Sequence, residues 1–352
     1  MSHEAMIVAP RVRDFATLAE ELGVWMRARM PQARDLRVES LAYPKGAGRS
    51  HETIPFDAVW TEDGAPKSQG FVVRIKPSDH IYYPDDLFEE QIRLMQVLHG
   101  HGHVKVAKVF WHEPDPKVLG APFFVMEKKH GRVAVSNPPY SMTGWVAEAT
   151  PAQRRRMWEN GVRQLALIPK TPLASIRFLA GPGGLTGLEQ EFDKYARFVE
   201  WVRPDVVSDI LDKAMADLRR RWPRNQPPGL VWGDARLGNM MFNDDFEVVA
   251  VMDWEQPSLG GALHDLAWWI YMAEMVHAIP GRPWLEGMGT REETLALWNQ
   301  VGGVSIADFE WYEQFTGLKV AALSVRTAMF RGQPPPDEGS LIENLNRPGR
   351  WI

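Results

Sequence analysis

The sequence predicts an α+β fold in two lobes, a strand-dominated N-terminal part over residues 1–126 and a larger, mainly helical part over 127–352. Three observations predict it. The chain has 352 residues and a mass of 40.0 kDa, roughly twice the length of a typical domain. Up to Glu127 the apolar residues come in short alternating or continuous runs, as in strands. Beyond Lys129 they recur at helical spacing.

Taken in order, residues 15–30 put Phe15, Leu18, Leu22, Trp25 and Met26 on one helical face. Residues 35–43 and 53–61 alternate as strands around a Gly/Lys/Arg loop at 44–50, and 71–76 is a third strand closed by Pro77. Residues 85–98 return to helical spacing. The runs 104–111 and 121–127 read as two more strands, the second apolar enough to be central. Then 145–168, 188–201 and 206–222 read as helices separated by Pro- or Gly-rich breaks. Short buried strands at 230–232 and 248–252 flank a loop. Helices follow at 264–277, 291–300 and 308–330, and PPPDEGS at 334–340 reads as a breaker-rich tail.

Composition narrows the function classes. The net charge of −5 gives no global attraction to nucleic acid or an anionic membrane. With no cysteine, disulfides, thiolate metal sites and cysteine nucleophiles are excluded. The N-terminus lacks the apolar core of a signal peptide and no run approaches a membrane span. The expectation is a soluble, cytoplasmic protein with neither nucleic-acid nor membrane partners, its oligomeric state left open. The histidines of HGHGH (99–103) have metal-like spacing, but the glycines between them favour a surface loop. The runs Arg154–Arg156 and Arg219–Arg221 read as solvated helix faces, either able to attract an anionic acceptor.

One segment carries chemistry: LVWGDARLGNMMFNDDFEVVAVMDWEQPSLGGALHDLAWW, residues 230–269. An apolar run feeds Trp232-Gly233-Asp234, Asn239 stands five residues after the Asp, and a second apolar run ends in Asp253. Polar residues at the exits of buried strands are costly as core and natural as a site. Phosphoryl transfer needs such a set: a carboxylate to take the acceptor hydroxyl's proton, and an amide oxygen with a second carboxylate to hold Mg²⁺.

The segment resembles the catalytic loop of the aminoglycoside phosphotransferase family of protein-kinase-like small-molecule kinases. GRSHET (48–53) is similar to that family's glycine-rich loop, FVVRIKP (71–77) to its phosphate-binding strand, and LGAPFFVMEKKHGRV (119–133) to its hinge. The resemblance implies a protein-kinase-like fold with an antiparallel-sheet N-lobe that binds ATP and Mg²⁺. Asp234 resembles the catalytic base, Asn239 and Asp253 the metal ligands, and Arg74 the strand cation on the phosphates. Gly48 and Ser50 would lie over the phosphates, and backbone groups near Glu127 would meet adenine. Asp265 resembles the Asp that braces the catalytic loop from behind.

Three departures stand out. Trp232 occupies the place usually held by His. The strand cation is Arg74, with Lys76 on the same strand face two residues on, so either could contact phosphate. The helix acid that would pair with it falls at Gln91, beside Glu89 and Glu90. Arg236, two residues past the base, stands where many protein kinases carry a Lys that meets the γ-phosphate.

No Ala-Pro-Glu closes a peptide platform after Asp253, so a small-molecule hydroxyl acceptor is expected. The excess of acids over bases between Thr186 and Glu313 suits a cationic aminoglycoside. The tryptophans of the same region suit a more apolar alcohol. The alternatives are a hydroxyacyl-CoA kinase of a catabolic pathway, to which the resemblance also extends, and a non-catalytic nucleotide-binding pseudokinase.

Overall fold

The computed structural model describes residues 13–43, 52–76, 82–206, 208–302 and 304–347. They fall into two compact units, Met1–Ile81 with Val106–His130, and Tyr82–Lys105 with Gly131–Ile352.

The smaller unit is a five-stranded antiparallel sheet: β1 (Arg34–Glu39), β2 (Glu52–Glu62), β3 (Ala65–Ile75), β4 (Val109–Glu113) and β5 (Phe123–Glu127), in the order β1-β2-β3-β5-β4. Strand alternation turns Ile54, Phe56 and Ala58 of β2 to one face, with Phe71, Val73 and Ile75 of β3. The helix α1 (Phe15–Arg29), N-capped by Asp14 on the amides of Ala16 and Thr17, covers that face with Leu18, Leu22, Trp25 and Met26. Each such fully buried apolar side chain contributes about 1.5–3 kcal/mol. β2 and β3 are joined by Asp63-Gly64, with φ of 53° and 76°. Two consecutive left-handed residues match the twist of a two-residue hairpin, and β3 thereby starts six residues earlier than its apolar run.

The second unit is built around a long buried helix. Its elements are α2 (Phe88–His101), β6 (Arg132–Val133), α3 (Trp145–Glu148), α4 (Pro151–Leu165), α5 (Gly187–Val202), α6 (Ile210–Arg220), β7 (Met240–Phe242), β8 (Val248–Val251), α7 (His264–His277), α8 (Arg291–Gly302), α9 (Phe309–Phe330) and α10 (Glu338–Asn346). α5, α6, α7 and α10 all pack on α9, whose Trp311, Tyr312, Phe315 and Leu318 are buried. β6-β7-β8 form a small antiparallel sheet.

Several elements differ from the sequence reading. The helix expected over 145–168 breaks into α3 and α4 because Pro151 has no amide to donate, and the Thr150/Gln153 capping box starts a new helix there. The tail at 334–340 instead opens α10, capped by Asp337 and held by buried Leu341 and Leu345. His99 and His101 end α2 rather than lying in a loop, with Gly102 as its left-handed cap. Residues 82–105 group with the larger unit, against an expected cut at 126/127. There Arg93 lies 4.0 Å over the Phe178 ring, His103 Nε2 is 3.0 Å from Thr171 Oγ1, and Lys105 O accepts from Val251 N at 2.6 Å.

Arg154 is buried, donating to the carbonyls of Glu286 (2.6 Å) and Ala147 (3.0 Å), not on a solvated face. The other arginines of the two runs are also engaged. Arg155 pairs with Glu159 and Glu293, Arg156 with Glu247, Arg219 with Glu189, and Arg220 and Arg221 with Asp217.

Candidate active site

The loop carrying Asp234 is fixed from behind. Val231 pairs with Ser258 as an isolated bridge, and the amides of Trp232 and Gly233 both donate to the Asp265 carboxylate, at 2.6 and 2.9 Å. Burial pushes the Asp265 carboxyl up to about 6, although those two amides pull it down. Trp232 is fully buried, its indole donating to Met252 O at 2.8 Å and its ring 5.7 Å from Trp254. The indole therefore ties the loop to the residue preceding Asp253.

Gly233 has φ of 102°, and a Cβ there would stand 2.3 Å from Gln256 O. Only glycine fits this close approach. Gly233→Ala is therefore expected to cost at least the ~1–3 kcal/mol of a strained left-handed residue, with activity falling alongside. Denaturant unfolding beside steady-state kinetics checks this; unchanged stability would mean the loop can relax away from Gln256.

The Asp234 carboxylate meets three donors. Its Oδ2 accepts from Arg236 Nε at 2.9 Å and Asn239 Nδ2 at 2.6 Å, and its Oδ1 from Trp268 Nε1 at 2.9 Å. Burial disfavours the Arg236 charge, but Asp234, by its charge and hydrogen bond, together with the Asp253 charge raises the guanidinium overall. Asn239 Nδ2 also donates to Asp234 O at 3.0 Å, so the amide nitrogen faces Asp234 and the amide oxygen is directed away from it. The backbone of Asn239 is joined to the second expected ligand, since Met252 N donates to Asn239 O at 2.9 Å and Asp253 follows in a left-handed conformation, φ 63°. An amide oxygen and a carboxylate are hard donors suited to Mg²⁺, which keeps its other positions for water and phosphate.

Behind the loop lies a buried ionic cluster. Lys319 of α9 pairs with Glu191 of α5 at 2.7 Å; Glu191 also accepts from Ser258 Oγ at 2.6 Å, and Lys194 Nζ donates to Gln256 O at 2.9 Å. Burial alone would raise Glu191, yet Lys319 and Lys194 hold it well below the usual carboxylate range. Burial and Lys319 together push His264 down to about 3, keeping it neutral. The cluster grips 256–260, the segment against which Gly233 packs.

In front, a cavity of about 410 Å³ opens beside Arg236, Leu237 and Gly238. Its walls are mainly aromatic and thioether: Tyr140, Trp158, Trp269 and Trp284 with Met272 and Met288. Ser136, Asn137, His277 and Arg331 add polar groups, and no carboxylate is among the described residues that line it.

In the smaller unit, Arg74 is buried on β3 between Thr53 of β2 and Phe124 of β5, and Lys76 directly follows the strand. The Glu127 amide donates to Lys108 O at 2.8 Å and the Lys128 amide to Gly70 O at 3.3 Å. Gly48 and Ser50 lie outside the described residues.

Residues 54–301 match the model of the phosphotransferase enzyme family. The chain belongs to that family. It is a phosphotransferase enzyme with an α+β, protein-kinase-like fold. A Ralstonia eutropha protein assigned to the aminoglycoside phosphotransferases is similar over 94% of both chains, with a TM-score of 0.65 and 22% identity. The amicoumacin kinase hAmiN, in complex with AMP-PNP and Ca²⁺, is similar over 95% of this chain and 93% of its own, with a TM-score of 0.55 and 15% identity. The acyl-CoA dehydrogenase family member 11 of Pongo abelii is 23% identical over 296 residues, 80% of this chain and 36% of the relative. The phosphotransferase spans only about a quarter to a third of the length of the curated relatives it matches first.

Asp234, Arg236 and Asn239 thus meet in one polar cluster, with Asp253 joined to it through the Met252–Asn239 backbone bond. Trp268 was not among the residues expected at the site. Its indole contact is a side-chain event across 34 positions, and the only sequence signal is its place three residues after Asp265, on the same helical face. Gln91 is fully buried on α2, in the larger unit, whereas Glu89 is exposed. Among the described residues no helix is long and apolar enough to cross a membrane.

Proposed function

We propose that the protein transfers the γ-phosphoryl group of ATP to a hydroxyl of a small molecule bound in the cavity beside Arg236. The observation carrying this reading is the three-donor cage around Asp234, one of whose donors, Arg236, also lines the cavity. In the step, the acceptor oxygen forms a bond to the γ-phosphorus as its proton passes to Asp234. The bond from the γ-phosphorus to the bridging oxygen breaks, and its electron pair leaves with ADP. Asn239 and Asp253 would hold Mg²⁺, which neutralises charge on the phosphates. Arg74 and Lys76 are the proposed phosphate cations of the smaller unit, and Arg236 the cation nearest the transferring group. Since the amides of Glu127 and Lys128 are engaged within the sheet, an amide donor to adenine would come from beyond Lys128. The nucleotide analogue held by hAmiN supports ATP as donor.

The acceptor reading shifts with the cavity. The acids counted between Thr186 and Glu313 do not line it, and a polycation entering it would meet Arg236 and Arg331 without a carboxylate. Aromatic and methionine walls favour an alcohol with an apolar body, which supports the hydroxyacyl thioester over the aminoglycoside. The paired arginine runs lend no support to a CoA-phosphate site at those helices. An ATP-consumption screen across aminoglycosides, amino alcohols, sugars and hydroxyacyl-CoAs, with a no-acceptor blank, tests this. Turnover confined to aminoglycosides would overturn the apolar reading, and none with any class would favour the non-catalytic module.

Asn239→Ala and Asp253→Ala are each expected to weaken Mg²⁺-dependent nucleotide binding, Asp253 more because it brings a full charge to the ion. Nucleotide titrations with and without Mg²⁺ measure this. Wild-type metal dependence in both variants would move the metal elsewhere.

A further inference from the structure

We infer that Trp268 is a positioning residue for phosphoryl transfer, its indole N–H holding Asp234 so that Oδ1 is the oxygen that takes the acceptor's proton. The inference rests on the proposed phosphotransfer and adds to it the atom and the side chain that aims it. A carboxylate oxygen has two lone pairs. On Oδ2 both are directed at donors, Arg236 Nε and Asn239 Nδ2. On Oδ1 one is occupied by Trp268 Nε1, leaving the other as the open acceptor on this carboxylate. Charge-assisted bonds of this kind are shorter and stronger than neutral ones, so three of them fix the carboxylate's rotation.

The placement of Trp268 fits the task. Asp265 and Trp268 stand one turn apart at the start of α7. The first holds the backbone amides just before Asp234 and the second holds the Asp234 side chain. One rigid helical turn therefore fixes both the position and the rotation of the proton acceptor. The next residue, Trp269, lines the cavity, so the same turn also shapes the space for the acceptor. Trp268 is buried and its indole has no proton to exchange in the working range, so it holds the carboxylate without entering the chemistry. Pre-setting a reacting group in this way accounts for a large part of many enzymatic accelerations.

Two measurements test this on the full chain. First, ¹⁵N-indole NMR, with Trp268 assigned by the loss of its signal in Trp268→Phe, reads the contact without any turnover. The Trp268 resonance is expected to move in Asp234→Ala, and an unmoved resonance would overturn the contact. Second, Trp268→Phe is expected to lower kcat about ten- to a hundredfold while the KM for ATP stays within twofold. Trp268→Gln, which restores an N–H donor, should recover part of the loss. In an Asp234→Asn background Trp268→Phe should change the residual rate less than twofold, because no proton acceptance is left to position. A kcat within twofold of wild type in Trp268→Phe, or independent multiplication of the two single losses, overturns the positioning role. If wild type transfers phosphoryl to no acceptor, the phosphotransfer reading itself fails and the role falls with it, whatever the resonance does.

Discussion

Asp234→Asn is expected to lose about 10²–10⁴ in turnover, the range for removal of a positioned general base, while Mg²⁺–ATP affinity stays within a few-fold. The side chain's surroundings make the substitution more than a loss of charge. All three of its partners, Arg236 Nε, Asn239 Nδ2 and Trp268 Nε1, are donors. An amide in this place must turn its NH₂ toward at least one of them. The favoured rotamer keeps the carbonyl oxygen on Arg236 and Asn239 and opposes the NH₂ to the indole. One buried donor then goes unmet, at about 1–3 kcal/mol, so a modest drop in stability should accompany the loss of rate. Steady-state kinetics, nucleotide titration and thermal unfolding on one preparation separate the effects. Near-wild-type turnover would end the assignment of Asp234 as base.

The loop around Asp234 was legible because its chemistry is local. Asp and Asn stand at the exits of apolar runs, where burial would otherwise be costly, and their spacing alone limits which side chains can meet. Asp265 was legible only through the family resemblance, and the structure supplies its donors, the amides of Trp232 and Gly233. What the sequence hid depends on partners far along the chain. Trp268 reads as one of the tryptophans that suit an apolar alcohol until folding brings its indole to Asp234. Arg154 reads as one of a solvated run until the carbonyls of Ala147 and Glu286 surround it. The acids between Thr186 and Glu313 suggest a site for cations, yet the cavity turns none of them inward. Composition sums over faces that the fold separates. The hairpin at Asp63-Gly64 carried a readable turn signal, but polar Lys67–Gln69 masked the strand that follows it.

Trp232→Ala is expected to destabilise the protein by about 3–5 kcal/mol, the cost of emptying a large buried aromatic site. The indole is fully buried, packs on Trp254 and donates to Met252 O, so the variant loses volume and also leaves the Met252 carbonyl without that donor. The second loss has a consequence at a distance. Met252 precedes Asp253, and its amide is bonded to Asn239 O, so the indole braces the segment between both proposed metal ligands. Mg²⁺-dependent nucleotide binding should therefore weaken in Trp232→Ala even though Trp232 is not among the residues proposed to touch nucleotide. Trp232→Phe separates the two parts, keeping most of the ring while removing the donor, and should lose less stability but part of the same metal dependence. Trp232→His keeps a donor on a smaller ring and should be milder than Ala in both respects. Thermal unfolding beside Mg²⁺ titrations of nucleotide binding measures the set. An unchanged melting temperature in Trp232→Ala, with only the acceptor KM altered, would make Trp232 a wall of the acceptor site instead. The contact with Met252 would then carry no strain from the loop to the metal ligands.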